Sequence, residues 1–172
     1  MHSARSIPPH CVTTPQNIIQ FTHGGRSTVS NRKSLMENLR RPALRPPAGD
    51  IEQIVGASMT VFGWREGGAL TEIALASWGL RSDATIVESG VFMGRSTALL
   101  AGARRLRGSG KVHCVDPFDC SGDAFSIPHY LQALKDAGGD SLEEVFRRNM
   151  TRLGIEPWIV INACDRRTGL RP

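Results

Sequence analysis

The sequence predicts an α/β fold: a doubly wound parallel sheet of which only the first three strands, the ligand-binding half, are present. Three apolar runs carry this reading: Thr85 to Glu88, Lys111 to Asp116 and Trp158 to Ala163. Segments of helical period separate them, so strand, helix, strand, helix, strand follow in turn. The runs are mostly apolar along their whole length, the pattern of strands covered on both faces.

Taken in order, Leu70, Ile73, Ala74 and Trp78 share a helical face that ends at Gly79, so a helix leads into the sheet. Thr85-Ile86-Val87-Glu88 is the first strand and closes on Gly90 and Gly94. In the next helix Leu99, Ala103 and Leu106 lie on one side. Arg104, Arg105 and Arg107 complement its C-terminal dipole, and Gly108-Ser109-Gly110 stops it. After the second strand, a helix over Ile127 to Ala137 carries Ile127, Tyr130, Leu131 and Leu134 on one face and ends at Gly138-Gly139. Ser141-Leu142-Glu143-Glu144 is a capping box. It opens a helix with the stripe Leu142, Val145, Phe146, Met150 and Leu153, closed by Gly154 ahead of the third strand.

The chain has 172 residues, 40% hydrophobic and 22% charged, with no apolar run near 18 residues. This fits one soluble globular domain and excludes collagen, a coiled coil and a membrane span. Residues 1–50 hold seven basic and two acidic side chains, whereas 51–172 hold fourteen of each, so the net charge of +5 belongs to the leader. A neutral body argues against nucleic acid as partner, because phosphate binding needs a basic folded surface. The leader, rich in Ser, Thr, Arg and Pro, reads as a disordered tail over 1–50, ahead of a domain over 51–172. Its first 35 residues contain no acid, which an organellar leader or a start placed upstream of Met36 would each explain. No amphipathic arginine helix and no signal-peptide core appear, so the expected location is the cytoplasm. Cys11, Cys114, Cys120 and Cys164 form no C-x-x-C pair and fit no zinc spacing, which suits free thiols; Cys114 and His113 sit in an apolar run and read as buried. No metal site is expected.

Open α/β sheets bind ligands beyond the carboxyl ends of their strands. The turn there is Val87-Glu88-Ser89-Gly90-Val91-Phe92-Met93-Gly94-Arg95-Ser96-Thr97. Its glycines permit a sharp bend, and the amides of Gly94, Arg95 and Ser96 offer an anion site at a helix start. The spacing G-x-x-x-G is neither the dinucleotide fingerprint nor a phosphate-binding loop, which would need a G-K-[ST] lysine. Glu88, two residues before the first glycine, would repel a diphosphate but pair with the ammonium of an amino-acid head. S-adenosylmethionine carries such a head. Asp116 follows Gly94 by 22 residues, where a carboxylate can accept from both ribose hydroxyls of an adenosine. Asp165, just past the third strand, is the expected neighbour of the adenine amino group. The purely structural alternatives are a dipole partner for Glu88, a tight turn for the glycines and a strand-end cap for Asp116-Pro117.

Ile86 to Thr97, together with Val115-Asp116-Pro117-Phe118-Asp119 and the upstream Glu66-Gly67-Gly68-Ala69-Leu70, resembles class I S-adenosylmethionine-dependent methyltransferases. The likeness is to the small-molecule, macrocin-like O-methyltransferases, and it runs from about Gly63 to Asp165. It implies a Rossmann-like sheet, S-adenosyl-L-methionine as cofactor and a small-molecule acceptor, methylated at a hydroxyl oxygen. By position the methionine end falls to Glu88, Ser89, Gly90 and Gly94 with Arg95 and Ser96 beside them, and the ribose to Asp116. Ser89 stands where that family has an apolar residue. The family continues past its third strand with a fourth that pairs beside the first, whereas here only Cys164 to Pro172 follow. The resemblance therefore implies a shortened chain, with Ile86 to Glu88 on an exposed edge and self-association through it. Asp119, Asp123, His129 and Tyr130 are candidates to border an acceptor, and no catalytic base is assigned. An NAD-dependent oxidoreductase and a non-catalytic interaction module are the rival readings.

Overall fold

The computed structural model describes residues 18–22, 46–47 and 49–163. The elements are β1 (Ile18–Thr22), α1 (Asp50–Met59), α2 (Gly68–Gly79), β2 (Thr85–Ser89), α3 (Arg95–Arg107), β3 (Val112–Asp116), α4 (Ser126–Asp136), α5 (Leu142–Arg152), a 3-10 turn (Glu156–Trp158) and β4 (Ile159–Ala163). The four strands form one parallel sheet in the order β1-β2-β3-β4. No described helix is long and apolar enough to cross a membrane.

The helices after β2 and β3 start and stop where their sequences dictate. Gly108, in the left-handed conformation at φ 72°, ends α3 with its N–H on Arg105 O, and three arginines sit in that last turn. At the start of α5, Ser141 Oγ accepts from Glu144 N at 3.1 Å. Glu144 reaches back to Asp140 N at 2.9 Å, one residue further out than the box requires. Trp158 belongs to the 3-10 turn, so the last strand begins at Ile159, one residue later than expected.

Ile86, Val112, Cys114 and Ile159 share one sheet face and pack under Ala98, Leu100 and Ala101 of α3 and Val145, Phe146 and Met150 of α5. The far side of α3 meets α1 and α2 in a second cluster of Ile51, Ile54, Leu70, Ala74 and Leu99. Val87 and Val115, on the opposite sheet face, belong to neither cluster. Val87, Ser89 and Val115 are nevertheless buried, as the sequence predicted for strands covered on both faces, although the described helices all pack on the first face. The cause of that one-sided packing is the strand order: right-handed crossovers that all step the same way lay their helices on the same side.

Two elements depart from the sequence reading. β1 lies inside the leader expected to be a disordered tail, and pairs with β2 through Ile19↔Ile86, Gln20↔Val87 and Phe21↔Glu88. The Ile86 to Glu88 backbone is thus interior to the sheet, not the exposed edge expected for self-association. α1 was also not expected, although Ile51, Ile54, Val55 and Ser58 follow helical spacing, and Ile51, Ile54 and Ser58 are buried.

One buried cation ties the helical layer together. Arg104 is fully buried and donates to Ser77 O (3.0 Å), Leu80 O (3.2 Å) and Arg81 O (3.0 Å), at and just past the C-terminal end of α2. Ser77 O and Arg81 O also accept from Leu80 N (3.3 Å) and Ala84 N (3.2 Å), so the guanidinium is a second donor to them, placed at the negative end of the α2 dipole. Its Nε lacks a hydrogen-bond partner, and burial lowers its pKa, helped by the nearby Arg107 charge. A Cβ at Gly110 would come within 2.5 Å of Arg104 Nη2, so glycine there leaves the guanidinium its space.

Candidate functional site

The bend between β2 and α3 is fixed from four sides. Gly90 N donates to Val115 O (2.9 Å) on the neighbouring strand, and Gly94 N donates to Val91 O (2.9 Å) inside the bend. Asn149 Nδ2 of α5 donates to Met93 O (3.0 Å). Asp116, at the end of β3, accepts from Phe92 N with Oδ2 (3.1 Å) and from Phe118 N with Oδ1 (2.8 Å).

Those last two bonds hold strained backbone. Phe92 and Phe118 both have positive φ, 50° and 54°, as does Cys120 at 56°. Each such residue costs about 1–3 kcal/mol and persists where its surroundings over-determine it. A hydrogen bond to a carboxylate contributes about 1.5–3 kcal/mol, so Asp116 offsets most of that cost in the two loops it joins.

Gly94 has φ 97°, open to glycine at little cost. A Cβ there would collide with Met150 Cε and stand 3.1 Å from the Phe146 ring. Its small size therefore serves the approach of α5, a reason different from the ligand approach inferred from sequence. The first-turn N–H groups of Arg95, Ser96 and Thr97 precede the helix ladder, and no side chain caps them. The Arg95 guanidinium is turned elsewhere: Nε donates to Val61 O (2.7 Å) and Nη1 to Arg65 O (3.0 Å), which anchors the 61–65 loop. Ser89 is buried.

Glu88 is 3% exposed. Thr97 Oγ1 donates to its Oε2 at 2.6 Å. Burial, aided by the Asp116 charge, pushes the carboxyl up to about 8 against the pull of the Thr97 hydroxyl and of Arg65. The group is accordingly mostly protonated at neutral pH. This corrects the negative charge expected beneath the bend: the apolar Ile86 and Val87 beside it in the strand signal burial, and burial removes the charge. Cys114, buried as expected, has its thiol raised well above the usual range by burial and by Glu88.

The other candidates divide. Asp119 Oδ1 accepts from Ser121 N (2.8 Å), and Asp123 accepts from Phe125 N (3.0 Å) and Ser126 N (2.8 Å). These bonds lower both carboxyls, so each is an ionised, exposed loop cap. His129 is exposed beside Phe125, with ring centroids 5.0 Å apart. Tyr130 packs on Phe92 (5.1 Å) and Trp64 (5.2 Å), and Phe62 extends the cluster at 5.5 Å from Trp64, placing an aromatic wall beside the bend. Asp165 lies outside the described residues. Among the described residues no three His, Cys, Asp or Glu side chains gather where they could hold a metal ion.

Sequence reasoning missed Thr97 and Asn149. Thr97 was legible in part, as the third residue of a helix whose start faces the strand bearing Glu88. Asn149 carried no signal, since a polar residue within the α5 stripe is ordinarily solvated. No protein-family model matches the chain, and no curated protein matches it.

Proposed function

We propose that the protein is an S-adenosylmethionine-dependent methyltransferase of Rossmann-like fold, carrying a methyl group to a hydroxyl oxygen of a small-molecule acceptor. One observation carries the reading. Asp116, closing β3, accepts a hydrogen bond from Phe92 within the bend that closes β2, so the second acid and the glycine bend meet beyond adjacent parallel strands. Open α/β sheets take their ligands at such carboxyl ends.

The donor set suits the cofactor in two places. The uncapped amides of Arg95 and Ser96 suit its carboxylate. Each Asp116 oxygen accepts one backbone N–H and keeps a second lone pair for a ribose hydroxyl. Glu88 fits differently from the first expectation. It stands behind the bend as a protonated carboxyl held by Thr97, a positioning residue able to ionise when positive charge arrives. When bound, the cofactor supplies an electrophilic methyl group. The chain itself orients it through the bend, and the rings of Trp64, Phe92 and Tyr130 screen one side of that bend from water. None of the described side chains is assigned as the base for the acceptor hydroxyl.

A neutral Glu88 favours one rival, because an uncharged carboxyl no longer repels a diphosphate. Calorimetric titration with S-adenosylhomocysteine and with NAD, on the wild type and on Asp116→Ala and Glu88→Ala, separates the readings. The expected result is heat with S-adenosylhomocysteine alone, with affinity falling at least about tenfold in Asp116→Ala. Heat with NAD alone selects the oxidoreductase, and heat with neither leaves the non-catalytic interaction module.

A further inference from the structure

Between α4, α5 and the 60–64 loop lies a cavity of about 490 Å³, within the range of small-molecule sites. Val61, Met93, Ala133 and Val145 line it and are buried, so its interior is apolar. Two rings complete that part, Phe62 and Trp64, which are 50% and 44% exposed. Trp64 is a fixed wall rather than a loose side chain, packed 4.7 Å from Phe92 and 5.2 Å from Tyr130. Large rings held in place at an open cavity are the usual platform for a flat apolar ligand.

The charged part of the lining is cationic in balance, with Arg148 and Arg152 against Asp136 and His129 nearby. Neither guanidinium is committed to a buried carboxylate. Arg152 donates to Thr60 Oγ1 (2.9 Å) and Thr60 O (3.3 Å). Arg148 donates to Ala137 O (2.6 Å) and lies 3.5 Å from Glu144 at the surface. Five N–H donors per guanidinium leave both with donors to spare. Asp136 already accepts from Gln132 Nε2 at 2.7 Å.

We propose that this cavity binds a small aromatic carboxylic acid, its ring among Val61, Met93, Ala133 and Trp64 and its carboxylate on Arg148 and Arg152. A bare phosphate would leave the apolar interior unfilled, and an organic cation would meet two arginines. The cavity adjoins the β2–α3 bend through Met93, Asn149 and Trp64, but its argument uses no contact with a methyl donor, so the inference does not rest on methyl transfer.

The test is an NMR titration of the isotope-labelled full chain, read at the Trp64 indole N–H and the Asn149 and Gln132 side-chain amides. The probes are phenylacetate, phenylacetamide and inorganic phosphate. Phenylacetate should give saturable shifts at these groups, with phenylacetamide at least about tenfold weaker and phosphate without effect on Trp64. Ala133→Leu should fill the cavity and abolish the phenylacetate shifts. Arg152→Gln, should the first variant misfold, should erase the preference for the acid over the amide. Equal affinity for acid and amide, shifts that survive Ala133→Leu, or no saturation by about 20 mM would each overturn the proposal.

Discussion

Glu88→Gln is the most informative single change, because it removes one ionisation while keeping the side chain's shape and its place beside Thr97. The Glu88 carboxyl titrates at about 8 in the folded chain against an ordinary value of 4.5. The folded state therefore holds this proton more tightly than the unfolded one. The stability it contributes is fully present below about pH 4.5, falls as pH rises, and is lost once the pH has passed about 8. The slope between those limits is about 1.4 kcal/mol per pH unit. Relative to acid pH, the wild type loses about 3 kcal/mol by pH 7 and about 4–5 kcal/mol by pH 9. The glutamine variant cannot ionise at this position, so it lacks this loss, and every other titrating group cancels in the difference between the two proteins. Urea unfolding of both at several values from about pH 5 to about pH 9 measures that difference directly. It should grow steadily in favour of the variant up to about pH 8 and then level. A difference that stays constant across the range would refute a buried, protonated Glu88, and with it the account of the charge beneath the bend.

Three further outcomes follow from the same geometry. Gly94→Ala forces a Cβ at φ 97° toward Met150 and Phe146, and should lower stability by about 1–3 kcal/mol in urea unfolding. Asp116→Asn leaves one of the two amides, Phe92 N or Phe118 N, facing an NH₂ group; the cost should be about 2–3 kcal/mol. Amide exchange should then quicken in both loops together, and quickening confined to one would show that they are held separately. Arg104→Met removes the guanidinium donors to Ser77 O, Leu80 O and Arg81 O and leaves Ser77 O and Arg81 O with their backbone partners alone. Thermal unfolding should show a destabilisation of about 3 kcal/mol or more, and an unchanged midpoint would mean that water replaces the guanidinium.

Much of the β2 to β4 unit could be read from the chain, because strong local signals agree there. The α5 stripe, the Ser141 cap and the Gly108 stop each act within a few residues, and the structure places them accordingly. What escaped depends on contacts distant in sequence. Ile18 to Thr22 is five residues in a polar stretch, too short to show a period, and becomes a strand only because β2 offers it an edge. That pairing puts β1 at the edge of the strand order and makes β2 an interior strand. At the site, the position of Asp116 was legible from its spacing, but its two backbone partners were not, since Phe92 and Phe118 adopt a conformation no sequence pattern foretells. The charge of Glu88 was misread for a related reason: ionisation depends on how much protein surrounds the group, which a motif does not record.

Asp116 gives the molecule a mechanical property beyond its chemistry. The same carboxylate restrains the backbone after two adjacent strands, so neither loop can slacken while the other stays taut. Anything that drew on its remaining lone pairs would tug at both at once, and the mouth of the sheet would answer as one sprung hinge.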